Sequence, residues 1–141
     1  MVTQLTTSKL KAVMEIWLET NIEAHSFIPK EFWLSNFKMV KEVLPQAEVY
    51  VFEEDKIIKG FIGIVDKSYI AGLFVKREYQ EQGIGHELLD FCKGKYKKLS
   101  LDVFVKNEKA IKFYIKNDFK IFGKKMNEDT CEEEYFMTYR V

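Results

Sequence analysis

The sequence predicts a mixed α/β (α+β) domain, and three observations carry that prediction. Apolar residues recur at helical spacing in some stretches and alternate at strand spacing in others. The two patterns follow one another as strand, two helices, three strands, helix, strand, helix, two strands. This order gives an antiparallel front half and then one strand–helix–strand crossover. Finally, the 141 residues are 47% hydrophobic, which fits one domain over residues 1–141 with enough apolar side chain for a core.

The elements are justified in turn. Val2–Leu5 reads as a short first strand. Ser8 then reads as the N-cap of a helix ending near Thr20, with Leu10, Val13, Met14, Trp17 and Leu18 on one face. A second helix runs from Lys30 to Leu44 on the stripe Trp33, Phe37, Val40 and Leu44, and Pro45 ends it. Between them lies a short aromatic segment that includes His25. Glu48–Phe52 and Ile57–Val65 read as a hairpin across Glu53-Glu54-Asp55-Lys56, and Ser68–Val75 follows after Asp66-Lys67. The period turns helical after Gly85, with Leu88, Leu89, Phe91 and Cys92 on one side, and a lysine-rich end near Lys97 complements the helix dipole. Leu99, Leu101, Val103 and Val105 alternate as a strand. Asn107 caps a helix to about Asn117. Asp118–Lys124 and Glu133–Val141 read as closing strands.

Composition removes several function classes. Lys+Arg and Asp+Glu both number 22, so no global basic field is present to neutralise nucleic-acid phosphates. Cys92 and Cys131 are too few for a disulfide framework. No apolar run approaches the roughly 18–20 residues that cross a bilayer, and the first residues lack the continuous apolar core of a secretory signal. The expectation is a cytoplasmic protein with no membrane or nucleic-acid partner. Aromatic residues make up 15% of the chain, so core and pocket walls are expected to share them.

The sharpest feature is the turn Gln80-Glu81-Gln82-Gly83-Ile84-Gly85, followed by His86, between a predicted strand and a predicted helix. Such a turn presents unpaired backbone N–H groups at the positive end of a helix dipole, an arrangement that favours a phosphate or diphosphate. Taken alone, it is equally a tight turn without a ligand. A dinucleotide fingerprint fits poorly, because Leu88 stands where a third glycine is required and Asp102 falls inside a strand. A P-loop is excluded, because no Lys-Ser/Thr follows. The second motif is Asn107, Ala110, Phe113 and Tyr114, that is N-x-x-A-x-x-F-Y, followed by Asn117-Asp118-Phe119 on the helix after the next strand. Each motif alone is explained by capping and core packing, but their joint order and separation are not.

On these two motifs the chain resembles the GNAT family of acyl-CoA-dependent N-acyltransferases. The motif-bearing stretch runs from about Leu73 to Ile121, and the element order agrees over the whole length. The opening, with Ile16-Trp17-Leu18 and Ala24-His25-Ser26-Phe27, is similar to a subgroup of small bacterial members, the nearest of which acetylate protein lysines. The resemblance implies a GNAT fold, with a mixed, mostly antiparallel central sheet and helices on both faces. It implies acetyl-CoA as cosubstrate and no metal. It assigns the diphosphate to the amides of Gln80, Glu81, Gln82, Gly83, Ile84 and Gly85, with His86 just inside the helix. The pantetheine falls to the main chain of Leu73, Phe74 and Val75, as an added strand, and to Asn107. The thioester sulfur falls to Tyr114. Gln80 stands where arginine is commoner, which removes one fixed charge but leaves the cradle.

The implied reaction is direct attack of a primary amine on the acetyl thioester. Tyr114 is the expected general acid, and a main-chain N–H near Phe74 or Val75 is expected to polarise the carbonyl. His25 is a candidate base that titrates in a useful range, set against a purely structural role. Glu132, Glu133 and Glu134 are alternatives, and with Glu128 and Asp129 they form an acidic run that either steers a cation or is a solvated turn. The acceptor is expected to be a small-molecule or peptide amine, and the protein a monomer or homodimer. The competing reading is a non-catalytic module that binds or senses acyl-CoA. A dinucleotide-binding protein is the third.

Overall fold

The computed structural model describes residues 1–140; the end of the last strand expected at Val141 lies outside the described residues. Seven strands form one sheet in the order β1-β2-β3-β4-β5-β7-β6: β1 Val2–Gln4, β2 Glu48–Glu54, β3 Ile57–Val65, β4 Tyr69–Val75, β5 Lys98–Phe104, β6 Lys120–Asn127 and β7 Glu132–Arg140. The helices are α1 Leu10–Ala24, α2 Lys30–Val43, α3 Ile84–Lys95 and α4 Glu108–Lys116. Every strand pairing is antiparallel except β4 with β5.

The sheet is covered on both faces, which gives two apolar clusters. On one face, Leu88, Leu89 and Cys92 of α3 and Tyr114 of α4 pack with Ile62, Ile70, Leu101, Val103 and Met137. On the other, Val13, Met14 and Trp17 of α1 and Trp33 of α2 pack with Val49, Val51, Phe61 and Phe104. Strand alternation explains the division, because successive residues of a strand point to opposite faces.

Several boundaries differ from the sequence expectation. Ser8 does not cap α1. A 3-10 turn takes up Thr7–Lys9, the Ser8 hydroxyl pairs with that of Thr6 at 3.1 Å, and the helix begins at Leu10 behind Lys9. The helix also continues beyond Thr20 to Ala24. Asn21 is buried there with its side-chain amide on the Trp17 carbonyl, which keeps a polar residue compatible with a buried turn. The first hairpin loop contracts to Asp55-Lys56. Both residues adopt positive φ, as a two-residue hairpin turn requires where the strands twist; Asp66 and Lys67 do so too in the three-residue loop Asp66-Lys67-Ser68 that follows. The helix α3 ends at Lys95, two residues early. The strand β6 starts at Lys120, because Asp118 turns left-handed (φ 73°) and Phe119 N–H closes on the Tyr114 carbonyl.

Candidate active site

The site begins as a defect in the sheet. Strands β4 and β5 share a single registered pair, Tyr69 with Ser100, reinforced by the Ser100 N–H donating to the Ser68 carbonyl at 2.8 Å. Beyond that point they diverge. The cause lies in β4: Gly63 opposes Gly72 while Ile64 opposes Ile70, so Ala71 has no partner on β3. A bulge of this kind bends the strand that carries it. The opening is a cleft of about 240 Å³ in the middle of the sheet. Residues Tyr69 to Phe74 line one side and Leu101 to Phe104 the other, with Trp17, His25, Trp33, Asn107, Tyr114 and Glu134 completing the wall. The edge of β4 that faces the cleft is left without a strand partner.

The Gly-rich turn stands where β4 runs into α3. Gly83 is the N-cap of α3 with φ 85°, and Glu81 is also left-handed at φ 63°. No residue from 81 to 86 donates its amide N–H to an acceptor among the described residues; the first closed bond is Glu87 N–H to the Gly83 carbonyl. These free donors stand at a helix N-terminus, an arrangement that favours an anion. The two glycines serve different purposes. A Cβ on Gly83 meets nothing within 4 Å, so its requirement is the backbone angle. A Cβ on Gly85 would stand 3.3 Å from the Phe113 ring, so its requirement is the close approach of α4. Gln80 braces the turn, donating to the Val75 carbonyl at 2.8 Å and accepting from Lys109 Nζ at 3.0 Å. The His86 ring is bonded through Nδ1 to Asn117 Oδ1 (2.7 Å) and through Nε2 to Asp90 (2.9 Å), which leaves only its main-chain N–H free.

Asn107 caps α4, its Oδ1 accepting from the Ala110 N–H at 3.2 Å. Its Nδ2 lies 3.2 Å from His25 Nε2, so the end of α1 is tied to the start of α4. His25 is buried, stacked on Trp33 and edge-on to Phe27 and Phe104. Burial lowers its imidazole to about 4, with the Asn21 carbonyl only partly opposing. The ring is therefore neutral at pH 7, and with Nε2 accepting from an amide its proton resides on Nδ1. Tyr114 is buried between Phe113 and Phe119, with ring centroids 5.2 Å and 5.3 Å away, and its hydroxyl has no hydrogen-bond partner among the described residues. Burial raises its phenol well above the ordinary tyrosine value, so the proton is held.

Of the three consecutive glutamates, only Glu134 lines the cleft. Glu132 pairs with Lys106 and Glu133 with Lys124 at the surface. The alternation of β7 separates Glu133 from Glu134, but which of the two faces the cleft depends on the register against β5, and no local pattern reveals it. Beside Glu134 lie two further residues that no sequence motif marks: Asp102, and Tyr69, whose hydroxyl donates to Asp102 Oδ2 at 2.7 Å. Cys92 is buried in the core with its thiol pushed up to about 12, and Cys131 is exposed in the β6–β7 turn. Among the described residues, no group of three or more His, Cys, Asp or Glu side chains is placed to hold a metal ion, and no helix is long and apolar enough to cross a membrane.

Comparison with known proteins agrees with this fold. A family model described as an acetyltransferase (GNAT) domain matches residues 19–133. The chain is 30% identical over 142 residues to the peptidyl-lysine N-acetyltransferase YiaC of Escherichia coli K12, covering all of this chain and 97% of that one. In fold it is similar to apo YjaB from Escherichia coli (TM-score 0.86, 21% identity, 99% and 96% of the two chains covered). It is also similar to the PaiA N-acetyltransferase of Thermoplasma acidophilum in complex with coenzyme A (TM-score 0.81, 22% identity, 100% and 98% covered).

Proposed function

The chain belongs to the GNAT acetyltransferase family, and from that premise we propose that it transfers the acetyl group of acetyl-CoA to a lysine side chain of a peptide or protein, using Tyr114 as the acid. The observation that carries the reading is the cleft itself: a free anion cradle at one end, an unpaired strand edge along its length, and a buried phenol in its wall. The lysine acceptor is supported by the peptidyl-lysine N-acetyltransferases that the chain is similar to.

The residues present fit acetyl-CoA. The amides of residues 81–86 receive the diphosphate, with Gly83 supplying the turn and Gly85 the clearance. The open edge over Leu73, Phe74 and Val75 pairs with the amide groups of the pantetheine arm, in the manner of strand addition. Asn107 is held ready by its two contacts and borders the same arm. A main-chain N–H of β4 near Phe74 polarises the carbonyl as negative charge develops on its oxygen. Tyr114 keeps its proton at rest and donates it to the sulfur as the C–S bond breaks. His25, neutral and bonded to Asn107, acts by positioning that amide.

The distinguishing experiment is incubation with acetyl-CoA and a panel of lysine peptides, N-terminal peptides and small amines, read by CoA release and product mass. Turnover on lysine peptides is expected. Tight CoA binding without turnover on any amine would favour a non-catalytic acyl-CoA module instead.

A further inference from the structure

One task of the proposed reaction has no owner among Tyr114, Asn107 and the turn. An alkyl amine titrates near 10.4, so at neutral pH the acceptor arrives as an ammonium and must lose a proton before it can attack. His25 is badly suited to take it, being buried, low in basicity and bonded through Nε2 to Asn107. The register of the sheet points elsewhere. Tyr114 packs with α3 on one face, whereas Phe104 packs with α1 and α2 on the other. Asp102 stands two residues from Phe104, and Glu134 lies directly opposite Phe104 on β7, so both carboxylates share the α1/α2 face. The splay between β4 and β5 connects the two faces, and Asp102, Glu134 and Tyr114 all line the one cleft. An amine entering on the carboxylate face therefore meets the acetyl group from the side away from the phenol. Asp102 Oδ1 is enclosed without a hydrogen-bond partner, while Oδ2 already holds a primary ammonium, that of Lys125 at 3.2 Å.

We propose that Glu134 is the residue that deprotonates the acceptor ammonium, and that Asp102, held by Tyr69, forms with it the subsite that receives this ammonium in place of Lys125. The inference deepens the acetyl-transfer reading and rests on it. The substrate it selects is a primary amine on a flexible aliphatic chain, admitted between the carboxylates and the aromatic wall of Trp17, Trp33 and Phe104. The step balances. The ammonium gives one proton to the Glu134 carboxylate, and the freed amine forms a C–N bond to the acetyl carbon. The C–S bond breaks with its electron pair on sulfur, which takes the Tyr114 proton. The second nitrogen proton returns through solvent to the phenolate, and Glu134 releases its own to solvent. The groups facing Glu134 are Asp102 from β5, Tyr69 from β4, Lys125 and Asn127 from β6, and the Glu132–Lys106 pair beside it. Burial, with Asp102, raises its carboxyl, and Asn127 and Lys125 oppose.

The test compares the native protein with Glu134→Gln, Glu134→Asp and Lys125→Met, using acetyl-CoA and Nα-acetyl-lysine methylamide between pH 5 and 10. The native kcat/KM for the amine is expected to rise through the raised Glu134 titration and then level off. Glu134→Gln is expected to lose roughly 10²–10⁴-fold at pH 7. Its kcat/KM should instead climb about tenfold per pH unit towards the amine's own titration, with KM for acetyl-CoA unchanged; Glu134→Asp should restore part of the plateau. Lys125→Met should lower KM for the amine without lowering kcat. A Glu134→Gln rate within threefold of native, or a retained plateau, would overturn the assignment of Glu134 while leaving acetyl transfer intact. A Lys125→Met variant with raised amine KM would overturn the displaced-ammonium subsite. No turnover by the native protein on any amine would overturn the acetyl-transfer reading and this inference with it.

Discussion

Replacing Tyr114 by Phe removes one hydroxyl, and the structure gives that hydroxyl no task in folding. It has no hydrogen-bond partner among the described residues, while the ring packs between Phe113 and Phe119. The variant keeps that packing and loses only the polar atom, so its melting temperature is expected to stay within a few degrees of native. Catalysis is expected to respond quite differently. Proton donation to a leaving group contributes roughly 10²–10⁴-fold, which at about 1.36 kcal/mol per decade corresponds to about 3–5 kcal/mol of transition-state stabilisation. Because the proposed diphosphate cradle lies on a different element, the loss should fall on kcat, with KM for acetyl-CoA unchanged. The assay is continuous detection of released CoA thiol at saturating acetyl-CoA, with melting curves recorded in parallel. A kcat within about threefold of native, in a variant of unchanged stability, would refute the assignment of the acid and move proton delivery to solvent.

Gly85→Val should raise KM for acetyl-CoA at least tenfold, because its side chain crowds Phe113 beside the proposed cradle; initial-rate kinetics with KM unchanged would contradict the placement of the diphosphate. His25 makes stability depend on pH. Its folded value of about 4 lies below the unfolded 6.5, so the unfolded chain binds more protons between these values. The stabilisation is complete above pH 6.5 and is lost as pH falls towards 4, a change on the order of 3 kcal/mol. Urea titrations at pH 7 and pH 4.5 should show a larger drop for the native protein than for His25→Asn, and equal drops would contradict the buried neutral ring. The two thiols should differ: in the folded protein a thiol reagent should label Cys131 rapidly and leave Cys92 untouched until denaturant is added. Mass spectrometry that finds both labelled at once would contradict the buried position of Cys92.

The order of elements was legible because each carries its own period and punctuation. Asn107 announced a helix and caps one, and Gly83-Ile84-Gly85 announced a strand-to-helix turn and forms one. Boundaries set by local backbone were less legible. Ser8 has the chemistry of a cap, but the preceding 3-10 turn shifts the helix start past it. The cleft was not readable at all from composition or period. It depends on Ala71 being the unpaired residue of a bulge, which is a relation between β3 and β4 rather than a property of either. Similarly, the carboxylate among Glu132, Glu133 and Glu134 that reaches the cleft follows from the pairing of Glu134 with Phe104. His25 lines the cleft, but its basicity depends on burial that Phe104, far along the chain, helps to complete, so no local pattern reveals it.

The most direct measurement is a crystal structure of the protein with acetyl-CoA. The diphosphate is predicted to rest on the amides of residues 81–86, the pantetheine to run along the open edge of β4, and the sulfur to lie within hydrogen-bonding reach of the Tyr114 hydroxyl. A ligand seated outside the cleft between β4 and β5, or entering it with the sulfur turned from Tyr114, would contradict the account.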